Sequence, residues 1–380
     1  MSTPSNRWLV LASAVVSFFA VGLTFFAVPP LIPLLVESLG LSNLEIGILM
    51  GAIAVPAIVL SIPLGAAMDR WPSRATGLWG LGTMAVGSAL FAIGGSYPIL
   101  LTGRLLFGVG GLVMNLLLAR MISEAFSGRE LSLAMGVFNA VYPASMIVIY
   151  TFHEPLLSTL GWRGELTLLL AMVLLAVPLH LAATTREHPH ESRQNTVPLS
   201  PPSRSLWMLA LSWMFFFAAF ASVFTFAPQW AGGGKAGLLT VTAITWVSLI
   251  LNPLVGTAID RTGRPHLWAR IGQSLFATIL LAMAAEEVAP LLAMLLVGLA
   301  ASVIPTAVYS LPARLVSASR IGFAFGFITA FSNLGTVAGP ALAGAVRDHT
   351  SAWPPLWILL AILALAGALL VPRPPHHPNH

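Results

Sequence analysis

The chain is a series of long apolar runs separated by short polar breaks. Runs between charged or Pro/Gly-rich breaks predict helices near 8–35, 44–68, 75–95, 97–121, 131–153 and 164–184. A second set follows near 206–230, 237–259, 267–285, 289–313, 321–346 and 355–371. Crossing about 30 Å of hydrocarbon takes about 20 residues of helix, and a helix satisfies its own backbone polar groups where no water can. The pattern therefore predicts an all-α polytopic membrane protein with twelve spans. The first run is longer than the 7 to 15 residues or so of a signal-peptide core, and a second span follows at once. It is expected to be a retained helix.

Composition agrees with this reading. Of 380 residues, 57% are hydrophobic and 8% charged, against about 25% charged in ordinary soluble domains. The absence of cysteine excludes disulfides, thiolate metal sites and thiol redox chemistry. The net charge of +5 is explained by topology, with no nucleic-acid partner expected. Arg7, Arg70, Arg74, Arg120, Arg129, Arg186, Arg193, Arg204, Arg261, Arg264, Arg270, Arg314, Arg320 and Arg373 fall on the side shared by the termini. The opposite loops carry only Arg163, Lys235 and Arg347. One miscounted span would scramble this bias, so it supports twelve spans and places both termini in the cytoplasm.

These breaks divide the chain into an N-terminal bundle of six helices (1–184), a cytoplasmic linker (185–205), a C-terminal bundle of six (206–371) and a tail (372–380). The linker holds Pro189, Pro198, Pro201 and Pro202 among mixed charges. The tail histidines His376, His377 and His380 have nothing to fix their geometry, so no metal site is expected there, and no cofactor elsewhere.

The two halves repeat. Gly65-Ala66-Ala67-Met68-Asp69-Arg70-Trp71-Pro72-Ser73-Arg74 returns as Gly256-Thr257-Ala258-Ile259-Asp260-Arg261-Thr262-Gly263-Arg264-Pro265, and the same shift carries Arg129 onto Arg320. Gly136-Val137-Phe138-Asn139-Ala140 likewise returns as Gly326-Phe327-Ile328-Thr329-Ala330.

Six plus six spans, a central linker and two copies of Gly-x-x-x-Asp-Arg after spans 2 and 8 resemble the major facilitator superfamily along the whole chain. That resemblance implies two pseudo-symmetric six-helix bundles and solute transport by alternating access. It also implies a gating role for Gly65, Asp69, Arg70 and Arg74 and for Gly256, Asp260, Arg261 and Arg264. Asp69 would dock on the start of span 11, and the Asp260 group on the start of span 5. A carboxylate at a helix N-terminus gains about 0.3 to 1 kcal/mol, weak enough for a gate that must open. In span 4, Arg104-Leu105-Leu106-Phe107-Gly108-Val109-Gly110-Gly111 resembles the family's arginine–glycine pattern, with Phe107 in place of a polar residue. In span 5, Tyr142-Pro143 stands where antiporters of the family carry Gly-Pro, and the fuller stretch, Gly335 to Gly344, lies in span 11. That departure weighs against a drug/proton antiporter.

Arg104 is the only charge well inside a span, and such a charge needs a partner or a water-filled cavity. It is a substrate candidate, with bonding to carbonyls of a neighbouring helix as the structural alternative. The other polar or aromatic candidates at span depth are Thr24, Asn115, Asn139, Tyr142, Trp213, Trp246, Asn252, Tyr309 and Asn333, on helices that the resemblance implies line a central cavity. Gly47 and Gly51, Gly322 and Gly326, and Gly335 and Gly339 are spaced for close helix packing. Pro56, Pro63, Pro143, Pro253, Pro305 and Pro312 mark expected bends.

All thirteen acidic residues read as lying at or beyond span ends, Glu45 and Glu154 nearest to membrane depth. His153 and Glu154 adjoin and so point to different helix faces, which argues against a dyad. With no nucleophile, metal cluster or paired acids at depth, an enzyme is not expected. The reading is a carrier of a small-molecule substrate, a small organic or inorganic anion being preferred, in the lipid bilayer of the cell membrane, as a monomer. Protons as coupling ion stay open. A proton-coupled drug or metabolite exporter and a transporter-like sensor are the alternatives.

Overall fold

The computed structural model describes residues 4–68, 71–184, 201–317 and 320–373. Most of the expected linker and tail, and the gate candidates Asp69 and Arg70, lie outside the described residues. In chain order the helices are α1 (Pro4–Phe26), α2 (Val28–Leu39), α3 (Asn43–Gly51), a 3-10 turn (Ala52–Ala54), α4 (Val55–Met68), α5 (Ser73–Ile93), α6 (Tyr97–Ala125) and α7 (Gly128–Ala183). They continue as α8 (Arg204–Trp230), α9 (Gly234–Thr262), α10 (Pro265–Ala284), α11 (Pro290–Tyr309), the short α12 (Pro312–Leu315), α13 (Ile321–Thr350) and α14 (Pro354–Leu370). No strand occurs among the described residues.

Ten helical stretches among the described residues are long and apolar enough to cross a membrane. One of them, Leu133–Ala183, has 51 residues, and at 1.5 Å per residue it would run about 77 Å if straight. It is not straight: Gly161, at φ 69° and ψ 170°, breaks α7 between the expected spans 5 and 6. That backbone conformation is open essentially only to glycine, so a residue without Cβ turns the chain where a polar loop was expected. Counting this stretch as two and adding the 17-residue α14 gives twelve crossings.

Two further breaks follow from proline. Expected span 1 is divided between α1 and α2 at Ala27, just before Pro29 and Pro30, which bring no N–H to the helix ladder. Expected span 2 is divided between α3 and α4 by the tight turn Ala52–Ala54, because Pro56 cannot donate to the carbonyl of Ala52 and its ring crowds that carbonyl.

The helices form two compact units. In the first, α1 packs along α7, and α5 along α6 and α7. Its core holds Phe18, Leu81, Met84, Phe107, Met114, Leu117, Phe138 and Val173, with Phe18 stacked on Phe138 at 4.5 Å between centroids. The second consists of α8 to α14 and also takes in residues 42–51, which include α3. Here α13 packs against both α8 and α3, α11 against α9, and α10 against α14.

Lipid tails are as apolar as the helices, so association depends on close contact, which small residues permit. Gly335 and Gly339 of α13 lie against the backbone of Met214 and Ala218 on α8, leaving no room for a Cβ. Gly47 and Gly51 of α3 lie against the backbone of Pro340 and Val337 on another face of α13. The third pair, Gly322 and Gly326, has nothing within 4 Å of an added Cβ. Its spacing matches the others, but no described residue packs there.

Candidate functional site

In the first unit the central feature is Arg104. Its side chain is fully buried, at 0% exposure. Nη1 donates to the backbone carbonyl of Thr24 at 2.5 Å, and the guanidinium lies 5.6 Å from the ring centroid of Phe91. A guanidinium presents five donors in a fixed plane, so a carbonyl and a ring face can hold it inside a helix bundle without water. The Thr24 side chain is also buried, and its Oγ1 has no partner among the described residues. Tyr142 of α7 sits against α1, its ring 5.7 Å from Phe25 and 5.2 Å from Phe26. Asn115 of α6 and Asn139 of α7 are exposed. Asn139 returns its amide to the carbonyl of Met135 one turn back, at 2.9 Å. Thr24 and Arg104 are thus brought into direct contact, whereas Asn115 is not joined to them.

In the second unit Trp213 of α8 is buried at 1% exposure, with its indole N–H lacking a partner among the described residues. Tyr309 of α11, 47% exposed, meets it edge-on at 5.4 Å and stands 5.9 Å from Phe325 of α13. These three rings form an aromatic wall that continues along α8 through Phe216 and Phe220, stacked at 5.0 Å. Trp246 and Asn252 of α9 are exposed and do not join it. Asn333 of α13 donates back to the carbonyl of Thr329 at 3.1 Å.

At the α9–α10 turn, Asp260, Arg261 and Arg264 are exposed, and none makes a side-chain hydrogen bond or ion pair to another described residue. Gly263, at φ 63°, closes α9, and Arg314 of α12 donates to its carbonyl at 2.7 Å. Gly65 lies within α4 and Gly256 within α9. Arg74 occupies the first turn of α5, exposed.

Models of the family match the chain over residues 14–242 and 233–380, and the family is the Major Facilitator Superfamily. The chain belongs to that superfamily. Its relatives and its fold are those of transporters, not of enzymes. The lysosomal dipeptide transporter MFSD1 of Homo sapiens is 23% identical over 297 residues, covering 70% of this chain and 63% of the relative. The chain therefore spans under two thirds of that protein's length. A probable L-galactonate transporter of Escherichia coli (strain K12) is 25% identical over 218 residues, covering 57% of this chain and 47% of the relative. Among solved structures, the POT family transporter PepTSo superposes with a TM-score of 0.80 at 13% identity, covering 98% of this chain and 97% of that one. That likeness concerns the fold alone.

Three pairings in this superfamily member were not legible in the sequence. The first is an acid–base pair: Nδ1 of His153 lies 2.9 and 3.1 Å from the two carboxylate oxygens of Glu165, with exposures of 5% and 1%. The sequence puts Glu165 at a span end and His153 beside Glu154. Glu154 is in fact exposed, and the break at Gly161 brings Glu165 onto His153 instead. The second is the carboxylate of Asp348, which accepts hydrogen bonds at the start of α3. The third is Gln273 of α10, buried, donating to Oγ of Ser212 on α8 at 2.9 Å. A serine and a glutamine 61 residues apart carry no joint signal in one sequence.

Proposed function

We propose that this chain carries a small organic solute bearing a carboxylate across a membrane by alternating access. The observation that carries the reading is the exposure of Asn115, Asn252 and Tyr309 within otherwise apolar helices. An amide or phenol facing hydrocarbon is costly, and polar groups at membrane depth face the bundle interior or a water-filled cavity. Each such residue therefore marks a wetted helix face. Family membership supports the carrier reading. The substrate class is supported by two relatives named for a dipeptide and for L-galactonate, both of which carry a carboxylate.

Arg104 enters this proposal as a strut. Its enclosure and its bond to the Thr24 carbonyl leave a solute carboxylate to neutral donors: in the first unit the amides of Asn115 and Asn139 and the hydroxyl of Tyr142, and in the second unit, taken by itself, the amides of Asn252 and Asn333 and the hydroxyl of Tyr309. Trp213 and Trp246 would offer apolar surface to the rest of the solute. The Gly65–Arg74 and Gly256–Arg264 segments would serve as cytoplasmic clasps. The arginine bias supports cytoplasmic termini, and we place the chain in the cell membrane as a monomer.

Uptake of radiolabelled L-galactonate, a dipeptide and a neutral sugar into proteoliposomes tests the reading. Saturable flux of a carboxylate probe, weakened at least several-fold by Asn115→Ala or Tyr309→Phe, is expected. Equal passive leak of all three probes would sink it.

A further inference from the structure

We propose that His153 and Glu165 together form a proton-binding site in the first unit. The pair is enclosed, and one imidazole nitrogen faces both carboxylate oxygens. A buried carboxylate with no counter-charge is strongly disfavoured. A carboxylate opposite an imidazole can hold one proton between Nδ1 and Oε, as imidazolium–carboxylate or as imidazole–carboxylic acid. Releasing that proton to solvent leaves a neutral ring and a carboxylate, so the site changes charge by one with no other bond made or broken.

An apolar crevice adjoins the pair. Glu165 is the sole charged residue lining it, and its walls include Leu23, Ile149, Phe152, Leu168 and Met172. Phe152 and Leu168 at its edge are exposed. The accessible surface of the crevice is apolar throughout, so the carboxylate stays enclosed behind these walls.

Among the described residues, no other charge completes the site. Of the helices packed on α7, α1 carries Arg7, which pairs with Glu130 at 2.7 Å. α2 carries Glu37, exposed, and α5 carries Arg74 in its first turn. On α6, Arg104 is held by the Thr24 carbonyl and Arg120 by Glu124 at 2.8 Å; the phenol Tyr97 starts that helix. On α7 itself, Tyr150 is buried, Glu154 and Arg163 are exposed, and His180 meets the carbonyl of Ser73 at 3.2 Å. None of these bonds to His153 or Glu165.

The site's use in coupling solute movement to a proton gradient rests on the transport reading; proton binding itself does not. The decisive experiment is infrared difference spectroscopy on the full chain in lipid nanodiscs, titrated across the whole pH range in which the protein stays folded. A change in the Glu165 carboxyl bands on loss of one proton per chain is expected, because those bands shift whether the proton rests on Oε or on Nδ1 against it. It should be absent from Glu165→Gln and altered in His153→Gln. Should either single variant fail to fold, the double variant His153→Phe/Glu165→Leu replaces the pair by apolar groups, an exchange that buried ion pairs often tolerate, and it should also lack the signal. A wild-type signal that persists in the Glu165 variants, or no signal in the wild type, overturns the proposal. In proteoliposomes, gradient-driven accumulation of the dipeptide probe should lose its dependence on the gradient in Glu165→Gln. If no probe moves at all, the transport reading fails and the infrared result alone decides the site.

Discussion

The carboxylate of Asp348, near the end of α13, accepts hydrogen bonds from the backbone N–H and the side-chain amide of Asn43 at 2.8 Å each, and a third from the N–H of Leu44 at 2.8 Å. It thereby caps α3 from another helix. The first N–H groups of a helix have no partner within it, and a carboxylate there satisfies them and suits the helix dipole.

Asp348→Ala should destabilise the α3–α13 contact by about 1 to 2 kcal/mol, the usual worth of a helix cap, with Asp348→Asn costing less. Since the chain has no cysteine, a single cysteine at Ser42 reports the contact without background, and its labelling rate should rise several-fold in Asp348→Ala. An unchanged rate would show that the cap does not hold the two helices together.

Arg104→Ala strands the Thr24 carbonyl and opens a cavity. Losing a hydrogen bond from a charged donor costs about 1.5 to 3 kcal/mol and the cavity adds to it, so a drop of several degrees in melting temperature is expected. Arg104→Lys should recover only part, because an ammonium lacks the planar fork. If Arg104→Ala instead melts normally but loses uptake of a carboxylate while keeping that of a neutral analogue, the arginine contacts substrate and is no strut.

Glycines of equal spacing should respond oppositely. In Gly339→Ala the new Cβ meets the carbonyl of Ala218, forcing α8 and α13 apart, and thermal stability should fall. Gly326→Ala meets open space and should be neutral or gain up to about 1 kcal/mol from helix propensity. Equal melting temperatures for the two variants would contradict the packing described for α13.

Gly161→Ala places a Cβ where φ is 69°, at a cost of order 1 to 3 kcal/mol. Because this break sets His153 against Glu165, the variant should both melt earlier and show a changed carboxyl band in the infrared. A shift in melting with an unchanged band would mean that the pair forms independently of the turn.

Much of the architecture was readable because membrane insertion is a nearly one-dimensional constraint. Hydrocarbon thickness sets the length of each apolar run, so the runs ending near Leu35, Met121 and Val371 could be marked from hydropathy alone. The displaced copy of Gly65–Arg74 at Gly256–Pro265 led to the family for the same reason: a repeat is visible along a string. The candidate site was only half readable. Arg104 stood out as a charge among apolar residues, but nothing along the chain named the Thr24 carbonyl as its acceptor, since every residue has a carbonyl.

By itself, then, the order of residues determined the class, the crossings and the duplicated plan, all consequences of local polarity and proline chemistry. Tertiary structure decided which of three like glycine pairs touch a neighbour. It also decided that Glu165 meets His153, 12 residues away, and that Asp348 reaches Asn43, 305 residues away. Those are choices of partner. They depend on how helices pack side by side and on one glycine turn, and packing distance in a folded bundle is not encoded in distance along the chain.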